Sequence, residues 1–335
     1  VIAGPHSAGY LARFGADVIK LDPVVPSYDP GNTVVYGLSH MRSKRSILVD
    51  VRSDEGRHVL EALIRSADVI VWNATDRQVR SLGLDASGLK TLNPKAIFCQ
   101  LDCFSGPMPG PRSNYLGYDD LVQATTGIML RFGGGMNTPE EHAHVGTIDV
   151  MCGFGAAFGI AVALYQTLKT GRVGRPRTSL AALSGLAQLP YCYDHGHRPL
   201  FSEPAGREIP GFDALSRFYS TSDGHVLISA YASDLPRFEQ LEEFAGLSAL
   251  DEEDRPAFLS SIFITARAED WVERLQAAGI GAAVCESLDT LRSYNSHDAD
   301  GRTGVELGSY AFATDCHHPS GRTITQLDPY AIRPE

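Results

Sequence analysis

Ser53-Asp-Glu-Gly-Arg-His-Val-Leu-Glu-Ala-Leu-Ile-Arg-Ser66-Ala-Asp68-Val-Ile-Val-Trp72 is a helix followed by a strand, and that alternation decides the fold class. Asp54 and Glu55 fall in the first turn of the expected helix, where the dipole favours negative charge. Asp68 to Trp72 is a short apolar run of the kind that forms a buried strand. Upstream, Ser46-Ile-Leu-Val49 reads as another strand. Before it come a helix over Ala8 to Phe14, a Gly15 stop and a strand over Val18 to Leu21. Val1 to Ser7 reads as a strand-to-helix turn, so a further strand is expected to precede it. Downstream, Ala96-Ile-Phe-Cys-Gln-Leu101 is the next strand, ahead of a Gly/Pro-rich loop from Ser105 to Pro111. Strands alternating with helices at this spacing indicate an α/β fold with a parallel, doubly wound sheet whose ligand lies at the strand C-termini. No G-x-G-x-x-G follows a strand, which disfavours a dinucleotide site.

From about Pro190 the pattern changes. Arg198 to Phe212 is rich in Pro and Gly, and Phe218 to Ser229 reads as a hairpin with Asp223-Gly224 supplying the turn. Amphipathic helices over Pro236 to Phe244 and Glu269 to Ala278, then a strand over Gly281 to Val284, suggest a second, smaller α+β domain. A chain of 335 residues fits one large domain plus a smaller one. A net charge of −11 argues against a nucleic-acid partner. No apolar run near the ~20 residues of a bilayer span is read in the sequence, and Val1 to Ile19 lacks a basic leader, so a cytoplasmic protein with no membrane partner is expected. The six cysteines (Cys99, Cys103, Cys152, Cys192, Cys285 and Cys316) are scattered, which points to reduced structural thiols and no metal site.

His144-Val-Gly-Thr-Ile-Asp149 leads into the small apolar run Phe154 to Leu164. A carboxylate at the entrance to so apolar a helix is costly to bury unless the helix N-terminus stabilises it or chemistry requires it. Asp149 is therefore a candidate nucleophile, with an ordinary N-cap as the alternative. His142 and His144 have no partner at metal-ligand spacing and read as loop or core residues.

The order of several blocks carries a resemblance. Ala3-Gly4-Pro5, Leu11 to Lys20, Lys44-Arg45-Ser46, Ala67 to Asn73, Leu92-Asn-Pro94, Gly117-Tyr118-Asp119, Gly146-x-x-Asp149 and Trp271-x₃-Leu275-x₃-Gly279 together resemble the family III CoA-transferases, which also include α-methylacyl-CoA racemases. The resemblance implies a Rossmann-like CoA-binding domain over residues 1–190, a small domain over 191–300, and a segment over 301–335 that returns to the large domain. It also implies an interlocked homodimer, or a pseudo-dimer of two modules in one polypeptide. Coenzyme A and acyl-CoA are then the expected substrates, with a small carboxylate as partner and no metal. By the same resemblance Asp149 is the catalytic aspartate, with Tyr118 and Asp119 beside it. Ala3, Gly4, Met41, Lys44 and Asn73 fall in blocks that contact CoA.

The chemistry suits that reading, since a carboxylate nucleophile can hold an acyl group as a mixed anhydride while CoA is exchanged. Backbone N–H groups near Gly146, or in the loop from Gly206 to Gly211, are expected to stabilise the oxyanions. That loop departs from the family's run of consecutive glycines. A racemase is the alternative enzyme, but the racemase histidine is replaced here by Tyr118, a poorer proton shuttle at neutral pH. A catalytically silent CoA-binding scaffold is a third reading. Tyr115 to Met129, Thr138 to His144 and His318 to Arg322 most resemble the family's dimethylsulfoniopropionate CoA-transferase/lyases. A sulfonium substrate suggests an aromatic cage drawn from Trp72, Tyr115, Tyr191, Tyr193 and Phe212.

Overall fold

The computed structural model describes residues 2–25, 40–41, 43–105, 110–129, 134–135, 138–139, 146–189, 196, 209–287, 290, 316–317 and 323–324. By their contacts, Val1–Met129, Glu141–His197 and Asp298–Glu335 form one compact unit, and Leu130–Glu140 with Arg198–His297 form another.

The first unit opens with helix α1 (Ala3–Arg13), which begins five residues earlier than the sequence pattern suggests. Pro5 sits in the first turn, where a missing N–H costs nothing, so Gly4-Pro5 starts the helix and is not a turn before it. Strands β1 (Ile19–Asp22) and β2 (Arg45–Leu48) pair in parallel. Helix α2 (Asp54–Ser66) is capped by the Ser53 hydroxyl, which accepts the Gly56 N–H, and carries the two expected acids in its first turn. Strands β3 (Val69–Asn73), β4 (Ile97–Asp102) and β5 (Arg177–Ser179) form a parallel sheet with β4 in the centre. Between β4 and β5 run helices α3 (Asp119–Thr126) and α4 (Thr147–Thr170), and α5 (Leu180–Ala187) follows β5 directly.

All six residues of β4 are buried, as a central strand covered on both faces requires. Phe98 packs towards Leu60, Ile64, Leu84 and Leu89. Cys99 and Leu101 pack towards Ala3, Ile148, Cys152, Ala156 and Ile160. Helices thus cover both faces, but the parallel strands fall into two sheets among the described residues, where the sequence pattern suggests one doubly wound sheet. Strands β1 and β2 are only partly covered, with Lys20 and Asp22 of β1 paired with each other and Arg45 of β2 bonded to Asp17.

The sequence reading also understated the apolar length of α4. The helix is 24 residues long, and an 18-residue window has a mean hydropathy of 1.8, enough by length and composition to cross a membrane. One face of it packs into the core, where Ile148, Cys152, Ala156 and Ile160 are buried against α1, β4 and α5, while 39% of that window is buried in all. The small residues permit this approach. A Cβ on Gly153 would stand 2.9 Å from the Ala3 carbonyl oxygen and from His6 Cβ, and one on Gly159 would stand 3.0 Å from Pro176 Cβ.

The second unit is an antiparallel sheet in the order β9-β8-β7-β6, from β6 (Gly211–Asp213), β7 (Ser216–Ser220), β8 (His225–Ser229) and β9 (Gly281–Val284). Helices α6 (Arg255–Phe263) and α7 (Ala268–Ala277) complete its core around Phe244, Phe263 and Trp271. The expected hairpin is present, closed by the Thr221 N–H donating to the Gly224 carbonyl at 2.9 Å. Asp223 does more than turn the chain: its carboxylate accepts the Ala268 N–H at 2.9 Å and so caps α7 from the hairpin tip. The expected helix over Pro236 to Phe244 is instead a short helix, Leu235–Phe238, and a 3₁₀ turn, Glu242–Phe244.

Candidate active site

Three chain ends converge in the first unit: the end of β4, the start of α3 and the start of α4. Gly117, just before α3, lies against Cys103 and Phe104, just after β4, so closely that a Cβ on it would stand 2.9 Å from the Phe104 ring. The Cys103 thiol donates to the Gly117 carbonyl at 2.7 Å. From α3, the Asp119 carboxylate reaches α4 and accepts the backbone N–H of Asp149 at 2.8 Å.

Gly146 is the N-cap of α4, in the left-handed conformation at φ 81°, and Asp149 is the third residue of the helix. Asp149 is therefore not the N-cap, although its charge still lies in the dipole-stabilised first turn. Its side chain is half-buried and has no hydrogen bond among the described residues. Burial, followed by the neighbouring Asp119 charge, raises its pKa from 3.8 to about 6. A carboxylate of that pKa is ionised at neutral pH yet poorly solvated, the state expected of a nucleophile. Burial, reinforced by the Asp149 charge, pushes the Cys103 thiol up to about 12 and raises that of Cys152 as well, so neither is a thiolate.

Tyr118 is the N-cap of α3 and its side chain is exposed. Asp119 is buried, and Gln123, one turn later and fully buried, donates to its second oxygen. The other sequence-selected residues gather around α1. A Cβ on Gly4 would stand 3.1 Å from Asn73 Cβ, which joins the start of α1 to the end of β3, and one on Gly146 would stand 3.0 Å from the Ile2 side chain. Ala3 touches α4 at Gly153. Lys44 donates to the carbonyls of Pro5 and His40. Burial, followed by Lys20, lowers its pKa to about 8, so its cation is held beside α1 under electrostatic strain. Met41 is half-buried next to His40.

Some of the site was not legible in the sequence. The His6 and His40 Nδ1 atoms lie 2.9 Å apart, and burial lowers each pKa to about 4, reinforced by the His40 ring at His6 and by the Lys44 cation at His40, so the pair is neutral. Tyr10 and Phe154 pack edge-on against the His6 ring. Two isolated histidines 34 residues apart offer no sequence signal, whereas the spacing of Asp119 and Gln123 on one helix face does. Trp72 packs into the core beside α2, Tyr115 is exposed, Phe212 belongs to the second unit, and Tyr191 and Tyr193 lie outside the described residues. His142, His144 and Gly206 also lie outside them; among the described residues no cluster of His, Cys, Asp and Glu could hold a metal.

The sequence profile of CoA-transferase family III matches residues 1–305. The chain is 47% identical over 334 residues to the CoA-transferase/lyase DddD of Marinomonas sp. (strain MWYL1), covering 100% of this chain and 40% of that protein. It is 30% identical over 275 residues to the succinate–glutarate CoA-transferase of Agrobacterium fabrum, covering 77% of this chain and 66% of that one. The chain thus spans less than two thirds of either relative. Among solved structures, a CAIB/BAIF family protein from Brucella suis superposes with a TM-score of 0.69 at 25% identity, covering 88% of this chain and 82% of that one. Protein Rv3272 of Mycobacterium tuberculosis superposes at 0.71 with 23% identity, covering 87% and 82%, a likeness of fold. With its parallel α/β sheets and its match across residues 1–305, the chain belongs to CoA-transferase family III.

Proposed function

We propose that the protein moves CoA from an acyl-CoA donor to a carboxylic acid, with Asp149 as the covalent nucleophile. The observation that carries this reading is the Asp149 carboxylate itself, half-buried, without a hydrogen-bond partner for its side chain among the described residues and with its pKa raised to about 6. An Asp149 oxygen attacks the donor thioester carbonyl and CoA leaves as its thiolate, forming a mixed anhydride. The thiolate then attacks the aspartyl carbonyl, expelling the donor carboxylate and leaving an aspartyl thioester. The acceptor carboxylate attacks that thioester and frees the thiolate, which finally takes the acceptor acyl group and restores Asp149. Ala3, Gly4, Met41, Lys44 and Asn73 hold CoA in this reading, supported by the contacts that gather four of them along α1. Incubation with an acyl-CoA donor followed by hydroxylamine should convert Asp149 to a hydroxamate. An unmodified Asp149 in an enzyme that turns over would remove the reading.

Relatedness to a protein named CoA-transferase/lyase favours a second step. A β-onium carboxylate such as dimethylsulfoniopropionate would accept CoA, and the thioester would acidify its α-proton. A base then takes that proton, the electron pair forms the α,β double bond, and the sulfide leaves. Released Asp149 is the better base, because both oxygens of Asp119 are already hydrogen-bonded. Sulfide release from dimethylsulfoniopropionate supplied with an acyl-CoA tests this step, and transfer without sulfide leaves a plain transferase.

The assembly we propose is a dimer or a pair of modules. Phe154, Phe158, Val162, Tyr165 and Leu168 form an exposed apolar stripe on α4, at spacings of three and four residues. A stripe of that extent favours a protein partner over water.

A further inference from the structure

We propose that Asp119 is a positioning residue for Asp149, its carboxylate supplying from another helix the cap that Gly146 has no side chain to provide. The proposal rests on the reading of Asp149 as nucleophile only for its effect on rate. A helix start leaves its first N–H groups without intrahelical acceptors, and an N-cap side chain normally takes the N–H of the second or third residue. In α4 that third residue is Asp149, whose N–H goes instead to Asp119 Oδ1, 30 positions away and 2.8 Å distant. Gln123 donates to the other oxygen from the next turn of α3, and Asp119 and Gln123 are 6% and 0% exposed. Asp119 is also the first residue of α3, so one carboxylate lies at the N-termini of two helices. Bonded in this way, Asp119 fixes the turn carrying Asp149 and is a poor proton shuttle.

Its charge has a second effect. Asp119 and Asp120 from α3 raise the Asp149 pKa together with burial. Cys103 at the end of β4 and Cys152 on α4 are thiols acted on by the Asp149 charge, and the positive charge of the amino terminus lowers the Asp149 pKa against the effect of burial and the two carboxylates.

The test compares Asp119→Asn with Asp119→Ala in the full-length protein, by CoA-transfer kinetics and by ¹³C NMR titration of the Asp149 carboxyl. Asparagine keeps an acceptor oxygen and removes the charge. The titration midpoint and the acid limb of kcat/KM should therefore both move down by about one pH unit, with the rate at pH 7.5 within about fivefold of wild type. Alanine removes both; kcat should fall by about 10²-fold while KM for the CoA donor stays nearly constant. If Asp119→Ala does not fold, the Asp119→Asn midpoint decides. An unmoved midpoint, or an Asp119→Asn enzyme as inactive as Asp149→Ala with its fold intact, would overturn the proposal. A shifted midpoint in a protein that forms no Asp149 hydroxamate would keep the positioning role and remove only the nucleophile.

Discussion

Gly4 and Asn73 are in contact across the start of α1 and the end of β3: a methyl group on Gly4 would stand 3.1 Å from Asn73 Cβ. That separation is tighter than an ordinary van der Waals contact, so a larger residue at position 4 must displace the asparagine. Gly4→Ala is expected to raise KM for the CoA donor several-fold, by about 1 kcal/mol of binding, with kcat little changed. Asn73→Ala should match it, and the double variant should lose little more, because both act on one contact. Initial-rate kinetics over donor concentration check this; a fall in kcat at constant KM would separate these residues from CoA.

Asp149 links activity to stability through its raised pKa. Because transfer needs the carboxylate, kcat/KM should fall about tenfold per pH unit below about 6. For stability the sign is opposite. The folded state holds the proton to a higher pH than the unfolded chain, so the fold loses stability as pH rises from 3.8 to about 6. By pKa difference that loss amounts to about 3 kcal/mol, an upper figure for a half-buried group. Asp149→Asn is therefore expected to lose transfer by about a thousandfold or more and to melt at a higher temperature than wild type at pH 8, the difference vanishing near pH 3.5. Thermal melts across pH check it, and a variant less stable than wild type at pH 8 would refute it.

Close packing between α1 and α4 sets the third expectation. A Cβ at position 153 would stand 2.9 Å from the Ala3 carbonyl oxygen and from His6, and backbone cannot yield cheaply. Gly153→Ala should destabilise the fold by about 1–3 kcal/mol despite its better helix propensity. Gly185→Ala, with nothing within 4 Å of the new methyl, is the control and should be neutral or slightly stabilising. Denaturant unfolding of both distinguishes packing from propensity.

The exposed stripe on α4 predicts assembly. Phe158 is 73% and Leu168 is 85% exposed. Phe158→Arg with Leu168→Glu should convert the assembled species to one of half the mass, or separate the modules if both lie in one polypeptide. Sedimentation and limited proteolysis read these outcomes, and an unchanged mass and digestion pattern would remove the stripe from the interface.

Local patterns carried much of this fold. Ser53 to Trp72 gave helix and strand because capping, first-turn acids and an apolar run are all encoded within a few residues. Gly4-Pro5 misled because the same pair suits a turn and a helix start, and packing of Ala3 against α4 decides between them. Asp149 stood out as a lone acid before an apolar run. The duty of Asp119 was hidden, since a cap drawn from 30 residues away leaves no local spacing to detect. The neutral His6–His40 pair was hidden for the same reason, its chemistry arising only when α1 and α4 enclose it.

A helix whose cap comes from elsewhere in the chain has consequences for the order of folding. The first turn of α4 cannot complete its hydrogen bonding until α3 has docked, however early the rest of the helix forms. The Asp149 amide should then exchange with solvent hydrogen at the rate at which α3 comes away, well ahead of amides in the middle of α4. The turn bearing the reactive carboxylate is in this sense the last part of its helix to be finished and the first to open.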